Sequence, residues 1–245
     1  MWWARALIIV TLMAGTGIAS IRALAASNVS ARIRYEVGGR ETDSNSSNIV
    51  LWLEPVSPSQ ARQAQANWPS PPPRYRLVQH HKQFTPHLLI VPVGAAVEFP
   101  NNDPFFHNVF SLFDGKRFDL GLYEAGATRT VRFDYPGVSF IFCNIHPEMS
   151  AVVVVLDTPY FGVSNRSGEV SVAGVPPGHY QLEVWAERAL PENLKQVSHE
   201  VDLSGDDASL GEIRLKEAGD LLAHHKNLYG RDYDPTTSPG GPYQP

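Results

Sequence analysis

The stretch FIFCNIHPEMSAVVVV, residues 140–155, decides how this chain is read. It contains the only cysteine of the 245 residues, Cys143, followed at fixed intervals by His146 and Met149. Apolar runs flank it, Val138 to Phe142 on one side and Ser150 to Leu156 on the other, and both read as short strands. Val138, Phe140 and Phe142 share one face of the first, since side chains alternate with a period of two. The motif is therefore Cys-x-x-His-x-x-Met in a loop between two strands. The three methionines are Met1, Met13 and Met149, so beyond the first 25 residues the sole cysteine and the sole methionine stand six positions apart.

The amino-terminal segment starts with Arg5, runs apolar from Ala6 to about Ile18 and finishes on Ala23-Leu24-Ala25. That order is the pattern of a cleavable export signal. The run is shorter than the ~18 to 20 residues a membrane span requires, and no cysteine near the cleavage point offers a lipid attachment site. The expectation is export to the periplasm, with a mature chain beginning near Ala26 and no membrane span after cleavage. Without residues 1–25, 18 basic residues face 25 acidic ones, a formal charge of −7 with histidines neutral. No basic stripe remains for nucleic acid or anionic lipid, so a small protein or soluble ligand fits better. Exported thiols ordinarily pair, and a lone one must be free, intermolecular or bound to something.

The rest of the chain is dominated by strand patterns. Val29 to Val37 alternates apolar and polar, and Ile49 to Leu53 is a second strand. PVSPSQARQAQANWPSPPPRY lacks an apolar period and reads as an excursion or linker. From about Arg76 to Asp157, LLIVPVG, AAVEF, HNVFSLF, RTVRF, VSFIF and SAVVVVL are separated by turn clusters such as NNDP and DYPG, a spacing that suggests a sandwich or barrel. Further strands lie around Val170, Tyr180–Val184, Val201 and Ile213, with Trp52 and Trp185 expected in the sandwich core. The end of the chain reads as a tail preceded at most by a short helix.

Upstream of the cysteine loop, Asn101 to Val109 places His107 at the start of a strand. One thiolate, two imidazoles and a weak axial thioether are the ligand set of a blue copper electron-transfer site. The soft thiolate favours Cu(I) and imidazole also suits Cu(II), so an intermediate geometry changes little on redox cycling. The metal itself keeps the thiol deprotonated.

These residues carry a resemblance. Residues 76–157 resemble the cupredoxins, the family of plastocyanin and azurin, and the seven-residue loop from Cys143 to Met149 looks like the short ligand loop of amicyanin. The resemblance implies a Greek-key β-sandwich with one type 1 copper, equatorial ligands His107, Cys143 and His146, and Met149 as the axial ligand. It also implies that Asn108 ties the two ligand loops by a hydrogen bond, that the exposed edge of His146 is the electron port, and that Phe105, Phe106 and Pro147 form an apolar docking surface. The partner would be a redox protein such as a c-type cytochrome or a dehydrogenase. The flanking stretches VSARIRYEV, NIVLWLEP and SNRSGEVSVAGVPPGHYQLEVWAE are similar to the carboxypeptidase regulatory-like module, an Ig/transthyretin-like sandwich. Together the two resemble exported copper proteins of the methylamine-utilisation type.

The expected organisation is all-β: an export signal (1–25), a discontinuous sandwich (28–57 with 158–216), a Pro-rich linker (58–75), a copper domain (76–157) inserted in or packed beside that sandwich, and a tail (217–245). Taken singly, Cys143 also fits a small buried hydrophobe and Met149 a core filler. His80-His81 and His224-His225 are ordinary solvated pairs or a weak second metal site, and adjacent histidines on a strand would point to opposite faces. Three functions compete: an electron carrier, a copper storage or delivery protein, and a β interaction protein with structural copper. Catalysis is disfavoured, because Cys143 is flanked by Phe142 and Asn144 rather than by the histidines that link such a centre to a second copper. The single cysteine excludes a dinuclear thiolate centre, and no nucleophile stands beside a spaced base.

Overall fold

A computed structural model describes residues 26–41, 45–70, 72–112, 115–219 and 225–233. The expected export signal lies outside them. Among the described residues the fold is all-β apart from two short helices, Pro58–Gln65 and Pro191–Val197. No helix among the described residues is long and apolar enough to cross a membrane.

Two sheets use the outer parts of the chain. In one, Ser27–Val37 lies between Glu169–Val175, antiparallel to it, and Ala208–Lys216, parallel to it. In the other the order is Phe161–Val163, Val50–Pro55, Gly178–Trp185, His199–Leu203. Ile33, Tyr35, Leu51, Leu53, Val172, Leu182 and Leu215 fill the space between them. The segment 58–75 is not an open linker throughout. Its Ala- and Gln-rich first half forms the helix Pro58–Gln65, with proline in the first turn, where its missing N–H costs nothing, and Ala64 buried in this same core.

Two further sheets use the middle of the chain. A five-stranded sheet has the order Phe118–Tyr123, His107–Ser111, Gly137–Phe142, Ser150–Leu156, Leu88–Pro92. Facing it, Ala95–Pro100 lies between Thr128–Phe133 and Tyr75–Arg76. Their common core contains Val97, Phe99, Phe133, Ile141, Val153, Cys143 and Met149.

The outer face of the five-stranded sheet is also covered. Phe110, Phe142, Val152, Val154 and Leu156 pack with Val50 and Trp185 in a third buried cluster, with Trp52 partly buried against it. Trp52 and Trp185 thus fill the junction between the two pairs of sheets, not the inside of the sandwich whose strands carry them. The cause is the period of two: Leu51 and Leu53 take the inward positions of Val50–Pro55, which turns Val50 and Trp52 outward. The same alternation explains the unbroken apolar run of Ser150–Leu156. Ala151, Val153 and Val155 enter one core, while Val152, Val154 and Leu156 enter the junction.

If this junction joins the two pairs of sheets energetically, Trp185→Ala will lower stability by about 3 to 5 kcal/mol. Urea unfolding should then show loss of structure in both halves in one transition. A second, separate transition that leaves one half intact would mean that the junction is only a contact.

Candidate metal centre

The hairpin formed by Gly137–Phe142 and Ser150–Leu156 sets the first donor. The two strands pair from Gly137 with Val155 to Phe142 with Ser150. Continuing the alternation past Phe142, Cys143 falls on the face of Ser139 and Ile141 and is fully buried. The loop closes through two backbone bonds, Cys143 N–H to the Met149 carbonyl at 3.2 Å and Met149 N–H to the His146 carbonyl at 3.1 Å. His107 opens the neighbouring strand, and its side chain shares the face of Val109, toward the same core.

His107, Cys143 and His146 each offer a ligand atom within 4.8 Å of the others, and all three are buried. The Cys143 Sγ lies 3.7 Å from His107 Nδ1 and 3.5 Å from His146 Nδ1. Met149 is buried with Cys143 in the same apolar cluster. A first-row cation bonded at about 2.0 Å to nitrogen and about 2.3 Å to sulfur would hold sulfur and nitrogen about 3.6 Å apart, which is the spacing of both sulfur–nitrogen pairs here.

Around them the chain supplies supports. The Asp103 Oδ2 accepts from His107 Nε2 at 2.8 Å. A carboxylate can only accept, so the imidazole proton sits on Nε2 and Nδ1 keeps its lone pair toward the sulfur. Asp103 also accepts from the backbone N–H groups of His81 (2.7 Å) and Lys82 (3.0 Å), two residues with positive φ of 53° and 54°. Asn101 folds this loop, its Oδ1 accepting from Asp103 N–H and its Nδ2 donating to the Phe105 carbonyl. The turn also stacks the His80 and His81 rings, with centroids 3.8 Å apart. They do not point to opposite faces, because His81 has left the strand that ends at His80.

Burial pushes the Cys143 thiol up, against the pull of the Ile145, Asn108 and His146 backbone N–H groups turned toward the sulfur. Burial holds His107 below the ordinary imidazole value despite Asp103. Burial would raise Asp103, but the Lys82 N–H, the His107 imidazole and the His81 N–H outweigh it and hold the carboxyl below its usual range.

One expectation needs correction and one is made more specific. Asn108 does link the two ligand loops, through its backbone N–H turned toward the Cys143 sulfur and not through its side chain. That side chain points away from the sulfur, as the neighbour of His107 on a strand must, and its Nδ2 donates to Asp119 Oδ1 at 2.7 Å. His146 exposes no edge: it is 0% accessible, with the ring of Phe105 5.7 Å away and that of His107 4.8 Å away. Phe105 also meets the His107 ring at 5.2 Å, while Phe106 is 44% exposed and Pro147 half-buried.

The remaining histidines have ordinary partners. His87 bonds the Ser150 carbonyl and Glu187, His179 bonds Asp202 and Glu200, and His199 bonds the Val197 carbonyl. His225 lies against the ligand loop, its Nε2 donating to the Pro147 carbonyl at 2.6 Å and its ring 4.1 Å from that of Phe142. His224 is outside the described residues. The sequence does not single out Asp103 or Tyr233, and it marks His225 only as half of a solvated pair or a weak second metal site. Asp103 stands four positions before His107, but Asn-Asn-Asp-Pro reads equally well as a turn.

No protein-family model matches the chain, and no match is found among curated proteins. Similar solved structures include a copper-containing nitrite reductase from Thermus scotoductus SA-01, 26% identical over 35% of this chain and 23% of that one, TM-score 0.33. A purple cupredoxin from Nitrosopumilus maritimus is 24% identical over 34% of this chain and 99% of its own, TM-score 0.31. A proline-to-glycine mutant of amicyanin in its reduced Cu(I) form is 22% identical over 38% of this chain and 90% of its own, TM-score 0.32.

In metal-free protein, Asp103→Ala should cost about 3 kcal/mol in urea unfolding at pH 7, since it removes a buried carboxylate with three donors. A carboxyl held below its usual pKa stabilises the fold above about pH 4, and that contribution is lost as pH falls through the lower folded value. The gap between parent and variant should therefore shrink below about pH 4. A gap that stays constant down to pH 2 would show that the charge of Asp103 is not the source.

Proposed function

We propose that this protein is an exported type 1 copper protein that carries single electrons between protein redox partners and catalyses no reaction of its own. The observation that carries the reading is the convergence of His107 Nδ1, His146 Nδ1 and Cys143 Sγ, buried with Met149, inside a rigid β framework. Two imidazoles, one thiolate and one thioether form a donor set suited to copper rather than to a hard cation. Copper in this site would supply one-electron chemistry by cycling between Cu(I) and Cu(II).

The chain's own part is to hold the donors. Asp103 fixes the tautomer and ring direction of His107. The Ile145, Asn108 and His146 N–H groups stabilise negative charge on the sulfur. The surrounding aliphatic and aromatic side chains exclude water, so the environment of the donors changes little with oxidation state. Burial of every donor favours retention of the metal, which supports a carrier over a storage or delivery protein. Because His146 is enclosed, the docking surface is assigned to the 105–106 corner, where Phe105 touches both imidazole rings and Phe106 reaches solvent. The partner is a redox protein such as a c-type cytochrome or a dehydrogenase, and the compartment is the periplasm.

Adding Cu(II) to the metal-free protein should produce an intense thiolate-to-copper absorption band, bleached reversibly by reductant and lost in Cys143→Ser. Copper at a thousandfold excess over its Kd should raise stability by about 4 kcal/mol. A colourless complex indifferent to Cys143 would refute the electron-transfer reading.

A further inference from the structure

The segment His225–Tyr233 folds on itself. The Asn227 Oδ1 accepts from the N–H groups of Tyr229 and Arg231, the Asn227 N–H donates to the Arg231 carbonyl, and Lys226 pairs with Asp232. It pairs with no sheet among the described residues. Its hydrogen bonds to the rest of the described chain all land on one place, the turn 143–147. Tyr233 donates its hydroxyl to the Cys143 carbonyl at 2.7 Å, the Leu228 N–H donates to Asn144 Oδ1 at 2.8 Å, and His225 Nε2 donates to the Pro147 carbonyl at 2.6 Å. The His225 ring lies over Phe142, and Leu228 packs at the rim of the junction cluster. Tyr233 Oη is also 3.2 Å from His225 Nδ1, which joins the two ends of the segment.

We propose that His225–Tyr233 is a clamp on the ligand loop: Tyr233, Leu228 and His225 are positioning residues that hold Cys143, Asn144 and Pro147 and shut competing ligands out of the donor set. The purpose of the clamp rests on the copper reading above, but its contacts are those of the metal-free chain. Three bonds to three positions of one turn leave that turn little freedom to open, and exposure of a buried thiol requires such local opening. Burial keeps the Tyr233 hydroxyl protonated to high pH, so its bond to the Cys143 carbonyl is available throughout the neutral range.

The test uses the full chain without metal. Cys143 is the only cysteine, so alkylation by iodoacetamide reports this site alone. Leu228→Asp combined with Tyr233→Phe should react roughly tenfold faster than the parent, and Tyr233→Phe alone a few-fold faster, with the urea midpoint moving far less than in Trp185→Ala because Leu228 only edges the junction cluster and Tyr233 enters no core. Equal rates in parent and variants overturn the proposal. So does acceleration matched by a fall in the urea midpoint, which would make the segment a general stabiliser. After Cu(I) loading, transfer to bicinchoninate should accelerate in the same order. If no variant and no parent takes up copper, the copper reading fails, while the alkylation rates still decide the clamp.

Discussion

Everything at the candidate centre depends on one hairpin being buried on both faces. Gly137–Phe142 and Ser150–Leu156 send alternate side chains into two different apolar clusters, so a shift of one residue would exchange the two sets. With Phe110, Phe142 and Val154 committed to the junction, Ile141, Cys143, Ala151 and Val153 have to enter the other core. The thiol is buried because the alternation of its strand carries it into the core of Ile141 and Val153. Its protonated form is favoured by that burial, and a soft cation is the partner that compensates for ionising it in place.

The second constraint is the direction of His107. A buried imidazole that rotates freely would present either nitrogen, but the Asp103 carboxylate on Nε2 leaves only Nδ1 for the sulfur side. Asp103 is in turn held by the backbone of a turn whose two residues sit in the left-handed region, so the second sphere reaches from one loop into another. His146 lies in the loop closed between Cys143 and Met149, which limits how far its ring can turn. Phe105 then touches both rings and completes an apolar wall beside them.

The outer sheets change what such a centre meets. They cover the far face of the five-stranded sheet with Val50, Trp52 and Trp185, and the segment around Tyr233 covers the ligand loop. Phe105 lies against both imidazole rings and its neighbour Phe106 is exposed, so the proposed docking surface is aromatic edge rather than imidazole.

The local sequence carried the donor types, their spacing and the strands on either side of them, because a period of two and a short loop leave few other arrangements. It also carried the all-β class, through the recurrence of short apolar runs between turn clusters. Three things were decided by tertiary structure alone. The helix Pro58–Gln65 forms because Ala64 finds a core to enter, which a pattern without apolar period does not announce. Asn108 turns to Asp119 because its neighbour His107 has taken the inward face. Asp103, His225 and Tyr233 reach the site from turns and from residues 78 to 90 positions away along the chain, contacts set by how sheets and loops pack and not by any local periodicity.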